Sequence, residues 1–351
     1  MTLAENKILA EFRVRKETIV RIETSVLEKI NELVKNCGIM VYAINHRIKE
    51  EGSLRKKLER KGDKYASLSD ITDILGFRIV CFFADDVDKI AQQVVDTFNV
   101  DWSNSIDKRK ILDSTTFGYL ALHYIRSIKD GEGIPADVKN FRFEIQMCSL
   151  LQHAWAVMEH DLGYKTKFGV PNAVLRDFSR LAGLLEIADE HFSRIRDTVA
   201  SYTEQVHQKI VEDNAGDVRI DSVSLNEYMR YNKSMRAFLQ SIADYGNLDF
   251  FDASADVFLE QLSWLKKKTI GDLQQMLSDN IDLARRMAQK ELSESGFDIF
   301  ASTISLRYLC QAELLRQEYS EKQAAEFFYL SSKNKEKAAR YAQTLFEKWG
   351  K

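Results

Sequence analysis

The spacing of apolar and polar residues changes period in the middle of this chain. Phe141, Phe143, Ile145 and Met147 fall on one side, and Arg142, Glu144, Gln146 and Cys148 on the other. A period of two predicts a half-buried strand. Leu151, Ala154, Trp155 and Met158 then recur at i, i+3, i+4 and i+7, which predicts a helix with one apolar face. Gln152, His153, Glu159 and His160 lie off that stripe. A polar strand face carrying an acid, followed by a helix carrying imidazole, amide and acid groups, is a way to assemble a site on rigid elements. A strand whose polar face simply meets water reads the same way.

Around this stretch the pattern alternates between helix and strand. Residues 5–36 read as helical, with Ile22, Val26, Leu27, Ile30, Leu33 and Val34 on one face, Thr24 as a candidate cap, and Cys37-Gly38 as the stop. Residues 39–49 are β-rich. Ser53 reads as an N-cap for a short helix ending at Lys61. Lys57 and Arg60, three apart, share a face of that helix and can converge with Arg47 and Lys49 on one polyanion; a solvated charge run has the same composition. Residues 76–83 are apolar on both faces, as an interior strand requires, except for Arg78, which needs an anion or an aromatic plane. An amphipathic helix over 86–98 and a short strand over 99–104 follow. From Val174 to Ile210, Phe178, Leu181, Leu185, Ala188, Phe192, Ile195, Val199 and Tyr202 step in heptads, a face that packs on another helix in this chain or a partner. Residues 212–221 read as a linker, and 222–351 as helical, with breaks near Tyr245-Gly246, Gly271 and 331–333.

Composition narrows the class. The 351 residues suffice for two domains, here 1–211 and 222–351. A net charge of −3 gives no global basic field for nucleic acid. Cys37, Cys81, Cys148 and Cys310 show no CxxC spacing, which suits free thiols in a reducing cytoplasm. The N-terminus has no apolar leader, and no apolar run reaches the length of a membrane span.

Four strings, in order, resemble the motifs of the RelA/SpoT-type nucleotide pyrophosphokinase family: RIKEEGSLRKKLERKG (47–62), DITDILGFRIV (70–80), FGYLALHY (117–124) and EIQ…HAWA…EHDLGYK (144–165). The resemblance covers roughly residues 25–200 and leaves the C-terminal part unexplained. It implies an α+β, nucleotidyltransferase-like mixed sheet flanked by helices, followed by an all-helical domain. It also implies a small alarmone synthetase that moves pyrophosphate from ATP to the 3′-hydroxyl of GTP or GDP. No His-Asp hydrolase cluster precedes the motifs, so a synthetase-only enzyme is expected, as a homo-oligomer through its helices.

Such a transfer needs spread negative charge neutralised, a metal across phosphates and a proton acceptor for the attacking hydroxyl. Asp73 and Glu144 are the expected Mg2+ ligands, with Glu144 also the base. Arg47, Lys49, Lys57 and Arg60 would hold the ATP phosphates, with Arg78 and Arg47 on adenine. Tyr119 would stack on the acceptor base. His123, Gln146, His153 and Glu159 would line the acceptor pocket, and Lys108 and Lys110 would serve its loop. Two departures fall at the acceptor. Leu120 and Ala121 stand where the family has Arg-Ser, and Cys148 and Ser149 where it has Arg-Thr. An adenosine nucleotide or a tRNA 3′ end is therefore an alternative acceptor, and a non-catalytic nucleotide sensor is a second alternative.

Overall fold

The computed structural model describes residues 2–61, 64–111, 117–118, 120–129, 138, 140–164, 171–293 and 298–350. It divides into two compact units, Met1–Arg196 and Asp197–Lys351.

In the first unit, α1 (Leu3–Val14) and α2 (Lys16–Cys37) replace the single N-terminal helix expected from periodicity, with a break at Arg15. Thr2, not Thr24, is the side-chain cap; Thr24 lies inside α2 and its hydroxyl donates to the Val20 carbonyl. Gly38 ends α2 at φ 65°, a left-handed conformation that glycine adopts without strain. β1 (Val41–Ile48) leads into α3 (Glu51–Lys61), which starts two residues before the expected Ser53 cap. Then come β2 (Leu75–Cys81), α4 (Ala84–Thr97), β3 (Phe98–Asp107), a short α5 (Lys108–Ile111), β4 (Leu122–Ile128), β5 (Phe143–Ser149) and α6 (Leu150–Tyr164). The strands form one mixed sheet in the order β1-β2-β5-β4-β3, with β2 and β5 parallel and the other pairs antiparallel.

Alternation along β5 and β2 gives the sheet two different faces. Phe77, Ile79, Phe143, Ile145 and Met147 face the helices, where Ile22, Val26 and Ile30 of α2 and Ile90 and Val94 of α4 are buried with them. The rings of Phe77, Phe143 and Phe98 meet edge to face. The other face carries Gly76, Arg78, Glu144 and Gln146, and closes at its far end over the small apolar cluster Val80, Ala121 and Cys148 under Leu150.

α6 follows a different rule from its apolar stripe. Gln152 is buried and accepts from the Leu120 backbone N–H, whereas Ala154 and Met158 are exposed. The helix is seated by polar anchoring to the β5 end: Ser149 Oγ accepts from the Gln152 N–H and donates to the buried Asp189.

α7 (Asn172–Val211) is one unbroken helix, and the boundary between the two units falls within it. Its heptad residues Leu181, Phe192, Ile195 and Val199 are each about half exposed; the residues turned inward are Ala182, Gly183 and Asp189. The Trp155 ring nitrogen on α6 donates to the Phe178 carbonyl.

The second unit contains the last turns of α7, with Val206 and Ile210 in its core, and then α8 (Ser222–Tyr231), α9 (Lys233–Gly246), α10 (Leu259–Trp264), α11 (Ile270–Ser293), α12 (Ile304–Arg316), α13 (Glu321–Ser332) and α14 (Lys335–Trp349). Asp221, Asn232, Ser320 and Asn334 cap four of them. The unit is helical apart from β6 (Asp249–Phe251) and β7 (Ile299–Ala301), a parallel pair too short for periodicity to mark. Residues 212–221 are fastened to the start of α11 by Ile220 N to Lys268 O, Ile270 N to Val218 O and Gly271 N to Gly216 O.

Candidate active site

The polar sheet face is organised by strand register. One row runs Asn45, Arg78, Gln146, His123, and the next runs Arg47, Gly76, Glu144, Ile125. Neighbouring rows in a pleated sheet present side chains on the same side at every second residue. A cavity of about 120 Å³ opens here, lined by Asn45, Arg47, Asp73, Arg78, Glu144 and Gln146, among others. Gly76 is part of its floor; a Cβ built there would meet nothing within 4 Å, so a side chain would only fill the space a ligand needs.

Two hydrogen-bonded clusters border the cavity. In the first, Asp73 lies in the turn just before β2 and receives Lys57 Nζ at 2.7 Å and Lys49 Nζ at 2.9 Å on its two oxygens. Burial pushes the Asp73 carboxyl up, but the two ammonium groups outweigh it and hold the group below the usual carboxylate range. In the second, Glu144 accepts from Gln146 Nε2 at 2.9 Å and pairs with His123 Nδ1 at 2.9 Å. Burial and the nearby Asp73 push its pKa up, yet the His123 contact, helped by Gln146, leaves it lowered. Gln146 Oε1 in turn accepts from Arg78 Nε at 3.0 Å and Nη2 at 2.8 Å, and Arg78 Nη1 lies 3.3 Å from His153 Nδ1. Burial first, and Arg78 second, lower the pKa of His153.

The structure therefore joins eight of the residues named from sequence, five in one cluster around Arg78 and Glu144 and three in a second around Asp73. Among the described residues Arg78 finds neither the anion nor the aromatic plane that its place in a strand calls for; the neutral Gln146 amide oxygen takes its place. Arg47 is exposed at the rim, and Arg60 points to solvent with no ion-pair partner among the described residues. Glu159 stands on α6 away from the cavity lining. Lys108 and Lys110 are on α5, also outside that lining; Lys110 is 3.8 Å from Asp107, and between them Arg109 is clamped by Asp88 and Asp107. Tyr119 lies outside the described residues.

Sequence reasoning missed Asn45 and Gly76, which line the cavity, and the buried pair of Ser149 and Asp189 behind it. Asp189 gave no separate signal, being one acid on a long charged helix. Among the described residues no group of three or more His, Cys, Asp or Glu side chains gathers as a metal cluster, so a cation at this site would need ligands from its substrate.

Residues 46–168 match the family model described as a region found in RelA and SpoT proteins. Two relatives from Bacillus subtilis (strain 168) are similar. GTP pyrophosphokinase YjbM is 28% identical over 159 residues, 44% of this chain and 72% of that protein. GTP pyrophosphokinase YwaC is 29% identical over 158 residues, again 44% and 72%. Small alarmone synthetase 2 of Bacillus subtilis is among the similar solved structures, with 24% identity, a TM-score of 0.44, and coverage of 54% of this chain and 97% of that one. Residues 46–168 of this chain are therefore similar, in their ordered motifs and in sequence, to the region found in RelA and SpoT proteins and to the two GTP pyrophosphokinases of Bacillus subtilis.

Proposed function

We propose that this chain is an ATP:GTP 3′-diphosphotransferase that makes (p)ppGpp, with its active site on the polar face of the N-terminal sheet. The observation that carries the reading is the convergence of Asp73, Glu144, Arg78 and Gln146 on one cavity inside the matched region. Two carboxylates bordering one cavity fit Mg2+, which takes one or two protein carboxylates and completes its shell with phosphate oxygens and water. Asp73 and Glu144 would hold it, and it would supply neutralisation of phosphate charge. Lys49 and Lys57, now on Asp73, are within reach of the same phosphates, with Arg47 at the rim and Arg60 in solvent. Arg78 offers a guanidinium plane to adenine.

The acceptor 3′-oxygen attacks the β-phosphorus of ATP, the bond to the α-phosphate oxygen breaks, and AMP leaves. The hydroxyl proton passes to Glu144. This carboxylate is held ionised, so no prior deprotonation is required, and a loose phosphoryl-type transition state needs little basicity from the acceptor of the proton. His123 steadies Glu144, while Gln146 and His153 orient Arg78. Tyr119 is assigned to the acceptor base, with Lys108, Lys110 and Glu159 in its outer surroundings. Self-association through helices belongs to the same proposal, supported by the half-exposed apolar stripe of α7.

One observation favours a different acceptor. Ser149 is buried on Asp189 and Ala121 is buried in the apolar cluster, so neither reaches the cavity as the family's polar residues would. Incubating the full chain with labelled ATP and, separately, GTP, GDP, AMP and tRNA decides it. GTP or GDP is the expected acceptor, and transfer to tRNA alone would replace the reading. Asp73→Asn and Glu144→Gln should each lower transfer on the order of 10³-fold while leaving the far-ultraviolet spectrum unchanged. Near-normal turnover in either variant removes the two-carboxylate site.

A further inference from the structure

The C-terminal unit has a pocket that nothing above employs. An apolar compartment of about 210 Å³ is lined by Phe258, Phe327, Phe328 and Tyr341, with Gln311 and Cys310 from α12. It adjoins a second compartment of about 400 Å³ through the shared residues Arg307 and Tyr341. This outer part is basic: Arg307, Lys337, Arg340 and Lys348 line it, against the single acid Glu291. Glu291 lies 3.5 Å from Arg307. Lys337, Arg340 and Lys348, on one face of α14, have no carboxylate partner among the described residues.

The inner compartment contains an unmet demand. Gln311 is 6% exposed, and its Oε1 has no hydrogen-bond partner among the described residues. A buried amide without a partner is costly, and one facing a cavity is met by whatever fills the cavity. The neighbouring Gln261 is unlike it, because its amide already reaches Ser331 and the Phe327 carbonyl. A hydrocarbon chain would fill the space but leave Gln311 unmet. A planar heterocycle with ring or exocyclic N–H groups would meet it and stack on the aromatic rings. The cationic rim suits phosphates on the same molecule.

We propose that this pocket binds a nucleoside di- or triphosphate, its base against Gln311 between the aromatic rings and its phosphates on Lys337, Arg340 and Arg307. The C-terminal unit would thus carry a nucleotide site of its own. The inference is independent of the reaction assigned to the N-terminal unit, and each can fail without the other.

The test is hydrogen–deuterium exchange on the full chain, read by peptide, with ADP or GDP against inorganic pyrophosphate and dodecanoate as separate probes. Nucleotide should slow exchange in 304–316, 321–332 and 335–349, and the surface variant Lys337→Ala with Arg340→Ala should abolish that protection while leaving protection in the N-terminal unit. Gln311→Met, close in shape but without the amide, should weaken nucleotide binding about tenfold while leaving Tm unchanged or higher, since it removes an unmet polar group. Protection confined to the N-terminal unit overturns the proposal. So does equal protection by pyrophosphate, protection by dodecanoate in place of nucleotide, or a Gln311→Met protein that loses stability but keeps its affinity.

Discussion

Among the described residues Arg126 is the largest side chain fully removed from solvent, yet its guanidinium has no hydrogen-bond partner there. It lies over the Tyr124 ring at 4.4 Å and near Trp102 at 5.8 Å, and burial lowers its pKa to about 10. Cation–π contact recovers only part of what a desolvated charge loses. Arg126→Met should therefore raise stability, by about 1–3 kcal/mol in chemical denaturation; a fall of that size would mean the aromatic contacts outweigh desolvation. Asp189 is a second buried charge with the opposite chemistry. Burial raises its carboxyl to about 6, although the Ser149 hydrogen bond favours the ionised form. The folded state then holds a proton that the unfolded state releases near 3.8, so stability falls as pH rises from about 4 through about 6. Asp189→Asn should be up to about 3 kcal/mol more stable at pH 7 and show little difference at pH 4, as Tm measured across that range will show. A uniform gain at both pH values would point to packing instead.

At the scale of elements, α3 shows how little a shared helix face decides. Lys57 and Arg60 are three residues apart, but Lys57 is bound to Asp73 and Arg60 projects into water. Lys57→Ala should thus raise the KM for ATP by about tenfold or lower kcat comparably, because it removes a cation beside the phosphates and one partner of Asp73. Arg60→Ala should move either by no more than about twofold in steady-state kinetics, as expected of a solvated charge. Equal effects would place both side chains on the nucleotide. The alternation in β5 was legible in advance because a period of two has one physical meaning in a sheet with one buried face, whereas β2 read as apolar on both faces apart from Arg78. The stripe on α6 misled, because burial there follows the hydrogen bonds of Gln152 and Ser149, which no periodicity encodes.

At the scale of the molecule, the division falls at 196/197, inside α7. Arg196 is tied to Asp85 and Asp86 of the first unit, whereas Val206 and Ile210 are buried in the core of the second. A chain ending at Arg196 should stay soluble and bind ATP, measured by calorimetry. One ending at residue 221 should aggregate more readily, since Val206 and Ile210 lose the core that covers them. The reverse order would show that the last turns of α7 are required to stabilise the first unit.

The sequence by itself determined α3, α4, β2 and β5 of the N-terminal unit, the two-faced character of β5, and a resemblance to one family through four ordered motifs; the break at Arg15 and the strand β4 were not legible in it. The legible features are local properties, written in spacing and in residue type. Tertiary structure decided which polar groups meet. Lys49, Lys57 and Asp73 are drawn together from β1's end, α3 and a turn, and Gln146 links Arg78 to Glu144, only because strands far apart in sequence pair in one register. It also decided that Asp189 and Arg126 are buried and that Gln311 faces a cavity. Burial depends on what packs over a residue, and that covering comes from segments whose distance along the chain carries no signal at the residue itself.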